Sequence, residues 1–309
     1  MKIAIIDMGT NTFNLLIVET QENSNYKIIF KDKAGVKLGQ GGINKKFITA
    51  EAFERGLNAI HKHMKSILLF QVDKTYAIAT SGVRSTENGK EFVDAIKGKF
   101  KLKVQVISGD EEAELVYRGV KQAVAFNDKH ILILDIGGGS NEFIVANQQG
   151  LVWKESFDLG IARLLDMFRP SDPITQEEIQ RIENYIETKL DNLYEAVVKY
   201  NPSQLVGCSG TFDSFREMII AKNGGIAYEA KTASSYTINL HDYEKLHIDL
   251  IKSTLEERKK MEGLELVRVE MIVLASIFVN FIIRKLKIES LIQSAFAIKE
   301  GMVDKVLSK

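Results

Sequence analysis

The stretch ILILDIGGGSNEFIVA, Ile131 to Ala146, decides how this chain is read. An apolar run ends in an aspartate, three glycines and a serine follow, and a second apolar run begins. This is strand, tight turn, strand: a β-hairpin whose turn exposes several backbone amides. Nearly the same sentence, IAIIDMGTNTFNLLIV, already opens the chain at Ile3. Setting Ile3 against Ile131 aligns Asp7 with Asp135 and Gly9 with Gly137. It also aligns Ile3, Ile5, Ile6, Leu15, Leu16 and Ile17 with Ile131, Ile133, Leu134, Phe143, Ile144 and Val145. A repeat distance of 128 residues is too long for a solenoid unit and suits two copies of a domain.

Working outward, the first half continues with a strand at 26–33, a glycine-rich polar loop through Gly42, and a helix at 49–69 with apolar residues at helical spacing. A strand at 75–80, a helix at 87–97, a strand at 104–107 and a helix at 109–125 follow. This βββαβαβα order is an α/β layered arrangement with mixed strand directions. The second half restarts with strands at 131–135, 141–147 and 151–157, helices near 160–169 and 175–199, a strand at 204–207 and a helix after Gly210. A long apolar helix from Met271, a strand at 290–292 and a helix from about Ser294 close it. The natural boundary falls at 127–129, and a cleft between the halves is the expected ligand site.

The chain has 309 residues, 45% hydrophobic and 27% charged, which suits two globular domains. Lys plus Arg and Asp plus Glu stand at 41 each, so no global field points to nucleic acid or a membrane surface. One cysteine, Cys208, excludes an internal disulfide framework and a thiolate zinc site, and points to a reducing cytoplasm. The start MKIAIIDMGTN is not expected to be a signal peptide, because Asp7 interrupts the apolar run. The run MIVLASIFVNFII at 271–283 is shorter than the roughly 18 to 20 residues that span a bilayer, so a buried helix is expected.

The two turns would each aim N–H groups and hydroxyls at one spot, from Gly9, Thr10, Asn11 and Thr12 and from Gly137, Gly138, Gly139 and Ser140. A single such turn reads as well as a tight turn needing glycine for positive φ. Two equivalent turns, each introduced by an aspartate, point to a phosphate clamp. GVRSTENGK at 82–90 has the wrong spacing for a Walker A loop, and GGGSNEF leads into a strand rather than the helix of a dinucleotide fingerprint.

In SGDEEAELVYRGV, 108–120, three glutamates open a helix. Ser108 and Glu111 fit a capping box, and Glu114 stands four before Arg118 in the favourable order. Glu112 is left over. It lies above Leu115, Val116 and Gly119 at the edge of the buried face, where burial raises a carboxyl pKa as a general base requires. On the strand after the second turn, Glu142 falls on the face of Ile144 and Ala146, opposite Phe143 and Val145. There it and Asp135 could hold Mg²⁺, or Glu142 could be a strand-edge charge in solvent. Arg84 reads either as a phosphate fork or as a loop arginine. His61 and His63 face different ways on one helix. Cys208 lacks the arginine of a cysteine-phosphatase loop, since position 214 is Ser, and reads as a small buried residue.

Taken in order, DMGTNTFNLLIVE, ATSGVRST, ISGDEEAELVYRGV, DIGGGSNEF and GCSGT resemble the exopolyphosphatase and guanosine pentaphosphate phosphohydrolase family across essentially the whole chain. The resemblance implies two duplicated actin-like (ribonuclease H-like) α/β domains flanking an interdomain cleft. The first is expected at 1–127, joined by the C-terminal helix at 294–309, and the second at 128–293. It implies hydrolysis of the terminal phosphoanhydride of polyphosphate or guanosine pentaphosphate with Mg²⁺ (or Mn²⁺), by a cytoplasmic homodimer. Carried over by position, Glu112 would activate water, Asp7, Asp135 and Glu142 would be metal-associated, and the glycine turns with Arg84 would clamp phosphate. A non-catalytic sensor of guanosine tetra- or pentaphosphate, and a kinase or ATPase of the same superfamily, are the alternatives. Near the end SAFAIKEG has Phe296 and Lys299 where the family has glycine and arginine. Glu270 and Ala275 stand where it commonly has aspartate and glycine. The chain stops without the extra helical domain of longer members, so a shorter polyphosphate channel is expected.

Overall fold

The computed structural model describes residues 1–22, 25–225 and 233–308. The first half is built from β1 (Lys2–Met8), β2 (Thr12–Thr20), β3 (Tyr26–Gly35), α1 (Ala50–Leu69), β4 (Lys74–Ala79), α2 (Ser81–Arg84), α3 (Gly89–Phe100), β5 (Val104–Val106) and α4 (Gly109–Ala123). The second half opens with β6 (Ile131–Ile136), β7 (Asn141–Asn147), β8 (Gly150–Phe157), α5 (Ile161–Phe168), α6 (Gln176–Glu187), α7 (Asp191–Tyr200), β9 (Gln204–Cys208) and α8 (Ser209–Lys222). It closes with β10 (Ser235–Ile238), α9 (Leu240–Lys252), α10 (Leu255–Arg258), α11 (Ile272–Leu286), β11 (Ser290–Ser294) and α12 (Ile298–Leu307).

One sheet runs β3-β2-β1-β4-β5 and the other β10-β11-β9-β6-β7-β8. Read from the meander inward they share one order: three antiparallel strands, then parallel pairing of β1 with β4 and of β6 with β9. The repeat extends to irregularities. The β2/β3 register slips between Ile17 and Val18, and the β7/β8 register slips between Val145 and Ala146, at equivalent positions of the two copies.

Five layers result. Ala4, Ile6, Phe13 and Leu15 pack outward against α1 and α3. Ile3, Ile5, Leu16 and Val18 face inward and meet Ile131, Ile133, Ile144 and Ala146 of the other sheet, with α4 and α12 sandwiched between. Leu132, Leu134, Phe143 and Val145 face the outer helices of the second half. The alternation expected along β7 therefore holds, with Glu142 on the inner face.

The sandwiched helices cross at glycines. A Cβ on Gly119 would overlap the Ala297 carbonyl, and one on Gly301 would overlap the Leu115 carbonyl. Arg118 then reaches both Glu114 (3.4 Å) and Asp304 (3.0 Å). Gly301→Ala is expected to cost about 1–3 kcal/mol of stability, the usual penalty of an extra methyl in a packed interior, read as a lower denaturant midpoint at unchanged m.

Three local expectations change. The helix expected at 175–199 is two, because the Thr188 hydroxyl takes the Tyr185 carbonyl and Lys189 bonds tightly back to Ile186. The last helix begins at Ile298 rather than Ser294, whose hydroxyl ties down the Phe296 backbone. Arg84 ends a four-residue helix instead of sitting in a loop. The apolar run from Met271 is the buried helix α11, and no helix among the described residues is long and apolar enough to cross a membrane.

Candidate active site

The two glycine turns are built alike. Gly9 N–H donates to the Thr12 carbonyl at 3.0 Å, and Gly137 N–H donates to the Ser140 carbonyl at 3.0 Å. That leaves Thr10, Asn11, Gly138 and Gly139, whose amides meet no protein acceptor among the described residues. The glycines are not explained by positive φ, which none of these four turn glycines adopts. They are explained by close approach. A Cβ on Gly138 would lie 2.5 Å from Asn11 Nδ2, and one on Gly139 would lie 2.5 Å from Ser81 Oγ and 2.8 Å from Thr10 Oγ1. Each turn is pressed against the other half of the molecule.

Between them opens a cleft of about 170 Å³. Both turns line it, with Asp7, Asp135 and Glu112, and so do Thr80, Ser81, Ser209, Gly210, Asp213, Arg268 and Lys299. The last seven went unread as site residues in the sequence. Yet the 128-residue offset that relates the turns also relates Ser81-Gly82 after β4 to Ser209-Gly210 after β9. Ser81 Oγ is buried without a partner among the described residues. Ser209 holds φ at +62°, a costly backbone for a residue with a side chain, and its hydroxyl bonds Asp135.

Helix α4 enters the site through its N-terminus. Its capping box forms as expected, with Ser108 and Glu111 each bonding the other's backbone N–H. Glu112, one residue on, is turned inward and buried. Arg84 Nη1 donates to Glu112 Oε2 at 2.9 Å and to the Ile107 carbonyl at 2.9 Å. Arg84 does not line the cleft; it stands behind Glu112. Burial and the neighbouring Glu142 push the Glu112 carboxyl well up, and Arg84 works against them. A carboxyl raised by its surroundings accepts a proton more readily than an ordinary glutamate, as a general base requires, while Arg84 favours its ionised form.

Glu142 is likewise behind the wall, and it is not a solvent charge. It is 1% exposed and accepts from Ser156 Oγ at 2.7 Å. Strand register places it opposite Asp135, as Asn14 is opposite Asp7. Burial, then the Asp135 charge, push Glu142 up to about 7. Burial pushes Asp135 up to about 6, against the Ser209 bond, and raises Asp7 despite Lys299 and a 3.0 Å bond from Asn14. Asp213, held by Gln293 at 2.8 Å, is raised by burial too.

Lys299 enters this acidic group. Burial lowers its pKa, but Glu300, Asp7, Asp213 and Asp135 more than offset that. The replacement of arginine thus keeps a cation in the cleft. Glu270 reaches across to Lys37 at 2.5 Å, and Ala275 lines a smaller pocket beside Asn11.

Among the described residues no three of His, Cys, Asp and Glu form a ready-made metal cage. Mg²⁺ does not need one. It takes one or two carboxylates and completes its shell with water and phosphate oxygens. Asp7 and Asp135 at the cleft, with Glu142 behind Asp135, are oxygen donors whose carboxyls are raised first by burial and then by neighbouring acids, which fits such a cation. Burial pushes the Cys208 thiol well up, which makes it an inert core residue, and buried His63 bonds the Phe13 carbonyl.

The fold recurs in known proteins. The model of the Ppx/GppA phosphatase family matches residues 16–309. A solved exopolyphosphatase of Cytophaga hutchinsonii superimposes with a TM-score of 0.95 at 38% identity, covering 100% of this chain and 98% of that one. The Aquifex aeolicus family member superimposes at 0.80 with 24% identity, covering 100% and 98%. Exopolyphosphatase 1 of Mycobacterium tuberculosis is 24% identical over 98% of this chain and 87% of its own length. A bifunctional 3-dehydroquinate synthase/phosphatase of Fusobacterium nucleatum is 35% identical over 67% of this chain, which matches only 32% of that longer protein. The duplicated actin-like halves are thus a shared architecture, and the chain belongs to the Ppx/GppA phosphatase family.

Proposed function

We propose that the chain is a phosphohydrolase that releases the terminal phosphate of inorganic polyphosphate, of guanosine pentaphosphate, or of both. The observation that carries this reading is Glu112: a buried carboxylate of raised pKa, facing a cleft closed by two amide-bearing turns. The Cytophaga and mycobacterial relatives are exopolyphosphatases, which supports polyphosphate as the substrate class.

Glu112 takes a proton from the attacking water as the anhydride breaks in line. The free amides of Thr10, Asn11, Gly138 and Gly139 and the Ser81 hydroxyl hold the terminal phosphate oxygens. Arg84 keeps Glu112 oriented and favours its ionised form against burial. Asp7, Asp135 and Glu142 are the residues that would hold Mg²⁺, which when bound neutralises phosphate oxygens. Phosphoryl transfer depends mostly on positioning and charge, so turns, one base and a cation site suffice.

The test is phosphate release by purified protein with Mg²⁺, on polyphosphate of several lengths, on guanosine pentaphosphate, and on ATP with and without an acceptor. Metal-dependent release from either of the first two is expected. Tight guanosine tetraphosphate binding without turnover would replace the reading with a sensor, and transfer from ATP would replace it with a kinase.

A further inference from the structure

The geometry points to Arg163 as a positioning residue that docks the second phosphate turn onto the first half of the molecule. Arg163 is the third residue of α5, and its side chain is 11% exposed. Its Nε donates to the Gly139 carbonyl at 2.7 Å. Its Nη2 donates to Ser85 Oγ at 2.9 Å, and its Nη1 reaches the Ile43 carbonyl at 3.4 Å. Gly139 belongs to the turn of the second half, while Ser85 and Ile43 belong to the first. One guanidinium therefore bridges the cleft's two walls.

What it holds on the far side matters. Ser85 Oγ donates in turn to the Ser81 carbonyl at 2.7 Å, at the start of the short helix that ends in Arg84. The planar fork thus joins the Gly139 turn to the helix that presents Ser81 to the cleft and Arg84 to Glu112. Asn44 adds a second tie across the same seam, donating to the Arg163 carbonyl at 3.1 Å and to Asp166 at 3.0 Å. The Arg163–Asp158 pair, at 3.4 Å with an exposed aspartate, adds little.

Asn44 and the Lys37–Glu270 pair also cross between the halves, but among the described residues the side chain that bonds Gly139 itself is Arg163. Arg163 is not itself placed at the reacting phosphate; it acts through Gly139, whose amide is. Its effect is on the fraction of molecules whose two turns are docked. When only a fraction is competent, apparent affinity falls by that fraction while the rate at saturation is largely kept. Lysine cannot replace it, because an ammonium has no planar fork to serve both walls. The kinetic half of this inference rests on the proposed hydrolysis; the docking half does not.

The test uses the full chain with spin labels at Glu54→Cys on α1 and Val198→Cys on α7, both exposed, while buried Cys208 stays unlabelled. Arg163→Ala is expected to broaden the ligand-free distance distribution towards longer separations, with added guanidinium ion at a non-denaturing concentration narrowing it again. The same variant is expected to raise KM for polyphosphate about tenfold while kcat stays within about threefold. Ser85→Ala, which removes one partner and not the fork, should move both readouts the same way by less, and it keeps the test open if Arg163→Ala folds poorly. An unchanged distribution, or a loss confined to kcat at constant KM, overturns the assignment. A broadened distribution in a protein whose wild type releases no phosphate sustains the docking role and removes the hydrolase reading instead.

Discussion

Replacing Glu112 by glutamine is expected to lower kcat for phosphate release by about 10²- to 10⁴-fold, the usual worth of a positioned general base, with little change in thermal stability. Glutamine keeps the length of the side chain and can still accept from Arg84, which also retains the Ile107 carbonyl. The packing of α4 against α12 is untouched, since Gly119 and Gly301 make that crossing. What disappears is the ability to take a proton. Burial and Glu142 raise the wild-type carboxyl while Arg84 works against them, so the group has a heightened affinity for the proton that glutamine cannot take. The check is kcat and melting temperature of both proteins side by side. Equal rates would remove Glu112 from the mechanism. A collapse of stability in parallel with activity would mean that the residue serves the fold.

Much of this site could be read before the structure. Glu112 emerged by subtraction: Glu111 was accounted for by the cap and Glu114 by Arg118, and both accounts hold in the structure. The hairpins were legible because period-two alternation and glycine turns are local signals. Gly9 and Gly137 are required by carbonyls of their own turns, Thr12 and Ser140, but the reason for Gly138 and Gly139 was not local. It lies in Asn11, Ser81 and Thr10 pressing in from the other half, which no spacing rule reports. Ser81 and Ser209 were within reach of the same repeat that found the turns, had the 128-residue offset been carried through to the segments after β4 and β9. Lys299 was noticed only as a replacement for the family's arginine, and Asp213 was out of reach, since it acquires meaning only when α8 and α12 bring the two to one cleft. In the stretch 235–258, β10 and α10 have only four residues each, too few to show a period, whereas the 13-residue α9 between them was within reach, since Tyr243, Leu246, His247 and Leu250 recur at helical spacing. Arg84 was read with two alternatives, and neither described an arginine turned inward onto the base.

The asymmetry of the two hairpins predicts the second large effect. Asp7 faces Asn14 and Asp135 faces Glu142 at the same register, so duplication left an amide in one copy and a carboxylate in the other. The amide donates to Asp7 and lowers its cost of ionisation. The carboxylate does the reverse: two acids buried together, one at about 6 and the other at about 7, leave negative charge that a cation would relieve. If Mg²⁺ is held on this side, Glu142→Gln should raise the half-saturating Mg²⁺ concentration for phosphate release about 10- to 100-fold, the typical cost of losing an outer partner of a metal site. Ser156 can still donate to the glutamine carbonyl, so the local hydrogen bond survives and the lost charge is what is measured. Asn14→Ala should shift the Mg²⁺ requirement less, because it removes a donor and no charge. A readout independent of turnover is the rise in melting temperature with Mg²⁺, which tracks RT ln(1 + [Mg²⁺]/Kd). Glu142→Gln should flatten that rise while Asn14→Ala preserves it. The opposite ranking of the two variants would assign the metal to the first hairpin and undo the division of labour inferred for the duplicated halves.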